Sequence, residues 1–221
     1  MVAGGSGRRF GARKQFLPLA GLPVAAWSVR GARTVSAGVV LVVPAANDDV
    51  TEDRLPRPGA TGDAALGATR VVAGGATRAG SVRAGLAAVP AGAGVIVVHD
   101  AARPLAPPAL FASVVDAVDP GRVDGVVPVL AVADTLKRVA DGRVVGTVDR
   151  EGLMSVQTPQ AFAAGALRAV HAGGAETTDD AALLEAAGLV VGVVEGDPRN
   201  LKLTRPEDLA LAEALLAGAD R

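Results

Sequence analysis

The chain has 221 residues, half of them hydrophobic, with a formal net charge of −1 and no cysteine. This length and apolar content suit a single domain with a sizeable core. The near-neutral charge and the 2% of aromatic residues argue against nucleic-acid and membrane partners, and the absence of cysteine excludes disulfides and thiolate chemistry. With only two histidines, a bound metal is expected to have oxygen ligands. Apolar runs are too short for a membrane span and the first residues lack the apolar core of a signal peptide, so we expect a cytoplasmic protein.

The first distinctive segment is a glycine-rich loop at residues 3–15. Gly4, Gly5 and Gly7 let the backbone approach a ligand and offer N–H groups to an anion, and four cations follow between residues 8 and 14. The spacing differs from the dinucleotide fingerprint, which needs a glycine where Phe10 stands, and from the P-loop, which needs Gly-Lys-Ser/Thr. Alone, the segment is equally consistent with a basic terminus that has no role. Together with the motifs downstream it indicates a polyphosphate site.

Short Val-rich runs then alternate with Ala- and Leu-rich segments of helical spacing, a pattern typical of a mostly parallel α/β sheet with helices on both faces. Strands are predicted at 38–43, 71–73, 95–98, 125–130 and 189–194. Helices are predicted at 23–35, 78–89, 107–118, 163–172 and 179–187. A last helix is predicted after a capping box formed by Thr204 and Glu207, and segment 53–63 is predicted to be a surface loop.

One segment departs from this alternation. Residues 135–148 carry an Asp141-Gly142 pair between two partly alternating runs, which predicts a β-hairpin. Such a hairpin has nothing local on which to bury its faces, so we interpret residues 132–157 as an arm that reaches a second subunit. The whole chain, 1–221, is otherwise predicted to be one domain.

Asp100 follows the apolar strand 95–98 directly, and ligands gather at the carboxyl ends of strands in open parallel sheets. A lone carboxylate at such an end suits Mg²⁺, which is usually held by one or two carboxylates plus substrate phosphates. The alternative is that Asp100 caps the turn and pairs with Arg103. The neighbouring His99 is predicted to be structural.

Other polar residues at strand ends each allow two interpretations. Gly75 and Ser81 suit a ribose or phosphate, but the same segment fits an ordinary strand-to-helix loop capped by Thr77. Lys202 precedes the last helix and is well placed for phosphate, whereas most single lysines are simply solvated. For Arg150, as for the Thr158-Pro159-Gln160 run, the alternative is local turn chemistry.

In series, these motifs resemble those of the 2-C-methyl-D-erythritol 4-phosphate cytidylyltransferase family of the non-mevalonate isoprenoid pathway. The matching motifs lie at residues 4–9, 14–15, 74–82, 99–104, 134–138, 147–153, 158–160, 177–180 and 200–208. The resemblance implies a Rossmann-like nucleotidyltransferase sheet with a protruding hairpin arm, and a homodimer. It also implies transfer of a cytidylyl group from CTP to the polyol phosphate, giving 4-diphosphocytidyl-2-C-methyl-D-erythritol and pyrophosphate.

The resemblance assigns roles to individual residues. The implied catalytic cations are Arg9, Lys14 and Lys202, and the implied metal ligand, for Mg²⁺, is Asp100. The implied nucleotide contacts are Ala3, Gly4, Gly5, Gly7, Gly75, Ser81 and Ala101. The implied acceptor contacts are Arg103, Thr135, Arg150, Thr158, Thr178 and Lys202, with Thr135 and Arg150 supplied by the partner's arm.

This chemistry agrees with the residues that the chain contains. A phosphate monoester is already anionic near neutral pH, so no general base is needed, and no Ser/His/Asp set is found in the sequence. Catalysis then depends on positioning two anions and neutralising the developing charge with fixed cations and a metal.

The chain departs from the family pattern in three places. The family has a strand before the glycine loop, and here only Met1 and Val2 are available for it. We expect that the start codon is misassigned or that the chain is truncated. Arg13 stands where the family often has proline, and Ala76 and Gly80 replace acidic residues near the expected cytidine contacts. Two other functions therefore stay open: a cytidylyltransferase for another polyol phosphate such as ribitol 5-phosphate, and a catalytically impaired nucleotide-binding subunit.

Overall fold

The computed structural model describes residues 1–4, 10, 13–45, 59 and 66–219. In these ranges the strands are β1 (Pro18–Leu19), β2 (Leu22–Pro23), β3 (Val40–Val43), β4 (Arg70–Ala73), β5 (Val95–Val98), β6 (Gly125–Ala131), β7 (Leu136–Ala140), β8 (Arg143–Val148), β9 (Met154–Val156), β10 (Gln160–Ala163) and β11 (Val191–Glu195). The helices are α1 (Val24–Arg33), α2 (Arg78–Ala88), α3 (Pro108–Asp116), α4 (Ala164–Ala172), α5 (Asp180–Ala186) and α6 (Glu207–Ala219), with a short 3-10 turn at Lys14–Phe16.

The main sheet is assembled from two groups of strands. β3 and β4 pair in parallel, and β5, β10, β6 and β11 lie side by side, with β9 pairing along β6. Val2 makes parallel bridges both to Val42 of β3 and to Asp100 after β5, and so joins the two groups. Residues 1–3, the short first strand, therefore lie between β3 and the end of β5 in the sheet. β10 is antiparallel to both of its neighbours.

Helices cover both faces of this sheet, as predicted. Phe111 of α3 and Val29 of α1 are buried against one face, where they share a cluster with Leu41 of β3. Leu167 of α4 and Phe162 of β10 are buried in a cluster on the other face, which also includes side chains of α2 and α5. Because aromatic residues are scarce, Val, Leu and Ala fill most of this core.

The predicted strands and helices are all found, with ends shifted by a few residues, and three sets of strands were missed. One is β9, which lies in the segment 132–157 that was predicted only as an arm. β10 was missed because its sequence, Gln-Ala-Phe-Ala, has neither strict alternation nor β-branched residues, although all four residues are buried. The miniature hairpin of β1 and β2 was missed because its strands have only two residues each.

The predicted capping box of α6 is wrong in both of its residues, Thr204 and Glu207. Oδ2 of Asp208, not the side chain of Glu207, accepts hydrogen bonds from the backbone N–H groups of Thr204 and Arg205, at 2.6 and 2.8 Å. The hydroxyl of Thr204 donates to the carbonyl of Lys202 instead of capping the helix. α6 is therefore still held at its amino end by a carboxylate, but from the following position.

The hairpin of β7 and β8 is confirmed. Asp141 and Gly142 connect the strands with φ values of 48° and 73°, the left-handed conformations that a type I′ turn requires. The predicted loop 53–63 lies outside the described residues apart from Gly59. No helix in the described ranges is long and apolar enough to span a membrane.

Close packing between β6 and its neighbours gives a first prediction. A methyl group added at Gly125 would lie 2.8 Å from Cδ1 of Phe162, a fully buried ring with no room to move away. Gly125→Ala is therefore expected to lower the free energy of unfolding by about 1–3 kcal/mol, measured by urea denaturation followed by circular dichroism.

Gly165 offers the matched control, because in α4 an added methyl group would meet nothing within 4 Å. Gly165→Ala is expected to leave the stability unchanged or to raise it slightly. Equal urea midpoints for the two variants would contradict this account of the packing.

Candidate active site

The predicted site residues follow strand ends that meet at one edge of the sheet. Ala3 ends the short first strand, Gly75 follows β4, and Asp100 follows β5. Lys202 lies in the segment after β11, and Thr158 precedes β10, which runs in the opposite direction and so begins at this edge. The topology therefore gathers residues that are far apart in sequence where an open α/β sheet binds its ligands.

Asp100 and Lys202 form the central ion pair of this edge. Nζ of Lys202 donates to Oδ2 of Asp100 at 2.7 Å, and Nε of Arg78 lies 3.9 Å from Oδ1. Burial by itself raises the pKa of the Asp100 carboxyl, but the charges of Lys202 and Arg78 outweigh it and hold this pKa below its ordinary value of 3.8. Asp100 is thus a carboxylate across the neutral range, and its ion pairs are with Lys202 and Arg78 rather than with Arg103, the partner that the alternative interpretation gave it.

His99 and Thr158 hold the backbone of Asp100 in place. Burial lowers the pKa of His99 to about 3, against the opposing charge of Asp100, so the ring is neutral at neutral pH. Its Nε2 lies 3.2 Å from the carbonyl of Arg103 and therefore carries the proton, which leaves Nδ1 to accept from the hydroxyl of Thr158 at 3.1 Å. That hydroxyl in turn accepts from the N–H of Asp100 at 3.1 Å. His99 is structural, as predicted, and Thr158 is buried, so its predicted contact with the acceptor stays a prediction.

The segment that carries Lys202 is fixed through Asn200, which is fully buried. Nδ2 of Asn200 donates to the backbone carbonyl of Thr158 at 2.9 Å. The backbone carbonyl of Asn200 accepts from Nη1 of Arg103 at 2.7 Å. The N–H of Leu203 donates to the carbonyl of Ala102. Arg103 is thereby tied to the segment that carries Lys202, and its predicted contact with the acceptor stays a prediction.

The second glycine turn packs tightly against α2. A methyl group at Gly75 would lie 2.9 Å from the carbonyl carbon of Gly80, so glycine is required there for the turn to close on the helix. Thr77 caps α2 by accepting from the N–H of Gly80 at 2.9 Å, as the alternative interpretation held. The buried hydroxyl of Ser81 donates to the carbonyl of Gly75. The same hydroxyl lies close to Gly4, because a methyl group added at Gly4 would be 3.1 Å from it. The two glycine segments thus meet at Ser81.

Ala3 and Ala101 are buried, and their N–H groups donate to carbonyls of the sheet. Lys14 begins the 3-10 turn, with its Nζ 5.9 Å from the ring centre of Phe10, and Gln15 donates to the carbonyl of Ala3 at 2.6 Å. The roles of these residues in nucleotide binding stay predictions. Three further predicted residues lie outside the described ranges: Gly5, Gly7 and Arg9.

The arm and one loop hold the remaining predicted residues. Thr135 is exposed at the start of the arm, and Arg150 is exposed at its end, where it donates to the carbonyls of Val132 and Ala133. Thr178 is exposed in the loop before α5. These side chains are not part of the hydrogen-bonded cluster around Asp100, so their contact with an acceptor stays a prediction.

A buried group beside the site was not recognised from the sequence. Nη1 of Arg78 lies 2.7 Å from Oδ2 of Asp180, whose Oδ1 lies 3.0 Å from Nε2 of His171. Asp180 and His171 are both buried. Asp180 belongs to the Thr-Thr-Asp-Asp motif of residues 177–180, but nothing in its spacing indicates a partner a hundred residues away.

Asp100 is the acidic group available for a metal at this edge. The described part of the chain has no group of three or more His, Cys, Asp or Glu side chains that could hold a metal by themselves. A single ionised carboxylate, 15% exposed, fits Mg²⁺, because that ion takes most of its ligands from water and substrate phosphates.

Comparison with known proteins decides the family. The family model of 2-C-methyl-D-erythritol 4-phosphate cytidylyltransferase matches residues 1–218. The chain belongs to this family.

Individual relatives agree with this assignment. A 2-C-methyl-D-erythritol 4-phosphate cytidylyltransferase of Nocardia farcinica is 47% identical over 97% of the chain and 91% of its own length. The crystal structure of the Thermus thermophilus protein of that name has a TM-score of 0.78 at 34% identity, over 98% of this chain and 96% of that one. A bifunctional IspD/IspF enzyme of Nitratidesulfovibrio vulgaris is 43% identical over 97% of the chain but only 56% of its own length. The chain thus spans about half the length of such bifunctional relatives.

The neutral His99 gives this cytidylyltransferase-family chain a predictable response to acid. The folded chain binds the His99 proton only near pH 3, whereas the unfolded chain binds it below the ordinary pKa of 6.5. Between these values the unfolded state holds more protons, so the free energy of unfolding should fall as the pH falls, by about 1.4 kcal/mol per pH unit for this group.

The His99→Gln variant tests this, because glutamine cannot titrate. We expect it to be less stable at neutral pH but to lose stability less steeply between pH 6.5 and 4, as measured by urea denaturation at each pH. The difference in slope between the two proteins is the readout, and an unchanged slope would show that His99 is not the titrating group.

Proposed function

We propose that the chain transfers the cytidylyl group of CTP to 2-C-methyl-D-erythritol 4-phosphate, forming 4-diphosphocytidyl-2-C-methyl-D-erythritol and pyrophosphate for isoprenoid biosynthesis. The observation that carries the proposal is the ion pair of Asp100 and Lys202, 2.7 Å apart at the strand-end edge next to the two glycine segments. This arrangement combines a carboxylate for a metal with a cation for phosphate. Family membership over residues 1–218 supports the choice of substrates. The proposal includes the cytoplasm as the place of the reaction.

The proposed reaction needs charge stabilisation rather than proton transfer. An oxygen of the acceptor phosphate bonds to the α-phosphorus of CTP while the bond from that phosphorus to the oxygen bridging the β-phosphate breaks, and pyrophosphate leaves. Negative charge spreads over the α-phosphate oxygens in the transition state, where fixed cations are most effective. Lys202, whose side chain is 47% exposed, can reach such a phosphate, with Lys14 and Arg9 as the further cations of the proposal.

Mg²⁺ is part of the proposal. Asp100 would hold the ion, which when bound neutralises phosphate charge and makes pyrophosphate a better leaving group. The role of the chain is to keep Asp100 ionised, and Lys202 and Arg78 do so by lowering its pKa against the effect of burial.

We propose further that the protein is a homodimer joined through the arm. The register of the arm pairs Val139 with Val144 across β7 and β8, and their exposed fractions are 59% and 63%. Val145, Met154 and Val156 add exposed apolar surface nearby. A two-stranded hairpin is marginally stable alone, and this much apolar surface favours burial against a second copy.

The catalytic proposal predicts the behaviour of the two lysines. Purified protein with Mg²⁺, CTP and 2-C-methyl-D-erythritol 4-phosphate should release pyrophosphate, and ribitol 5-phosphate offered in parallel should give little. Lys202→Ala and Lys14→Ala should each lower kcat at least 100-fold, since one preorganised charge on a transition state contributes about 3 kcal/mol.

Arg168→Ala is the control for loss of a cation, because Arg168 donates to carbonyls of Val89, Pro90 and Ala91 ahead of β5, at the opposite edge of the sheet. Its kcat should equal that of the wild type. Release with ribitol 5-phosphate alone would move the proposal to the other acceptor, and no release from folded protein with either acceptor would favour the impaired nucleotide-binding subunit.

The dimer proposal predicts rescue between two inactive variants. If Thr135 and Arg150 serve the site of the partner, Arg150→Ala damages the site of the neighbour, whereas Lys202→Ala damages its own. A mixture in equal amounts, after subunit exchange, should regain about a quarter of wild-type activity, because half of the dimers are hybrids with one intact site.

Sedimentation of the wild type should show a dimer, and a Val139→Glu/Val144→Glu variant should sediment as a monomer. If the arm instead serves the site of its own subunit, each hybrid site keeps one defect and the mixture stays inactive.

A further inference from the structure

Arg78 connects the predicted metal carboxylate to a buried anchor. It is the first residue of α2, directly after the second glycine turn, and its side chain is 23% exposed. Its Nη1 lies 2.7 Å from Oδ2 of Asp180, and its Nε lies 3.9 Å from Oδ1 of Asp100. One guanidinium therefore faces two carboxylates that belong to different elements.

The Asp180 end of this contact is fixed. The side chain of Asp180 has no exposed surface, and its second oxygen accepts from Nε2 of His171, which is 2% exposed. A buried carboxylate is strongly disfavoured unless it has a cation and hydrogen bonds, and Arg78 and His171 supply them. Arg78 is thus held through a buried carboxylate that is itself fixed.

The Asp100 end is looser, and this difference suggests what Arg78 does. Oδ2 of Asp100 is bound tightly by Lys202, but Lys202 is half exposed and is the cation expected to move to a phosphate. Oδ1 faces Arg78 at a distance too long for a hydrogen bond, so the charge is balanced while the lone pairs remain accessible. Arg78 can therefore keep Asp100 oriented, with a cation beside it, when Lys202 leaves it.

We propose that Arg78 is a positioning residue that acts through Asp100, with Asp180 and His171 as the buried pair that locks it. This inference rests on the proposed function, because it concerns how the same site presents its carboxylate to Mg²⁺·CTP. It assigns a function to the second Asp of the Thr-Thr-Asp-Asp motif, at the start of α5.

The test compares Arg78→Gln with Arg83→Gln. Arg83 lies on the same helix and also reaches the 173–179 loop, through Glu176 and the carbonyl of Ala175, but makes no contact with Asp100. The binding of CTP to each protein is measured by calorimetry over a range of Mg²⁺ concentrations, beside kcat and KM. We expect Arg78→Gln to need at least tenfold more Mg²⁺ for half-maximal CTP binding and to lose kcat at least tenfold, with KM for the acceptor little changed. Arg83→Gln should match the wild type in its Mg²⁺ requirement.

Two further variants separate positioning from stability. Arg78→Gln/Asp180→Asn removes both charges and so leaves no unpaired buried carboxylate, and it should fold while keeping the raised Mg²⁺ requirement. Arg78→Lys should recover part of the loss. In the Asp100→Asn background, Arg78→Gln should have little added effect, because Arg78 acts through that carboxylate.

The inference is overturned if folded Arg78→Gln, or the double variant, keeps the wild-type Mg²⁺ requirement, or if Arg83→Gln raises it equally. Each of these outcomes counts against the inference only if the wild type binds CTP and releases pyrophosphate. A wild type that does neither would instead overturn the proposed function, and the inference with it.

Discussion

The structure depends on one constraint: a carboxylate at the end of a buried strand has to stay charged. Asp100 is 15% exposed, and burial alone would favour its neutral form. The chain resolves this by bringing Lys202 and Arg78 to it from opposite directions, one from the segment after β11 and one from the start of α2. The pairing order of the strands follows the same requirement, since it places the ends of β4, β5 and β11 at a common edge.

A second layer of neutral groups makes this arrangement rigid. His99, Thr158 and Asn200 are all buried. His99 and Thr158 hydrogen-bond to the backbone of Arg103 and Asp100, and Asn200 ties the segment that carries Lys202 to the backbone of Thr158. Because these groups are uncharged, they position Asp100 and Arg103 without adding to the charge of the site. Burial lowers the pKa of His99 to about 3, so this ring adds no charge beside Asp100 at neutral pH.

Much of the fold could be predicted from the sequence because Val-rich strands and Ala- and Leu-rich helices have different periods. β10 could not be predicted in this way, because a strand that is buried on both faces and paired on both sides needs no alternation of polar and apolar residues. Asp100 and Lys202 could be placed at strand ends from local pattern alone, but their pairing with each other was not predicted and is seen only in the folded chain. The contacts of Arg78 with Asp180, and of Asp208 with Thr204, could not, because both depend on where a side chain points after the chain has folded.

The charge balance of the site explains why two cations face one carboxylate. If Lys202 were the sole partner of Asp100, moving it to a phosphate would leave the carboxylate buried and unpaired, and this cost would oppose binding. Arg78 cannot make the same move, because the fully buried Asp180 holds it at 2.7 Å. Under the proposed function the more exposed cation, Lys202, would therefore move to the substrate while Arg78 stays, and the difference in their exposure, 47% against 23%, matches that division. A site built in this way can admit highly charged ligands without leaving any of its own charges unbalanced.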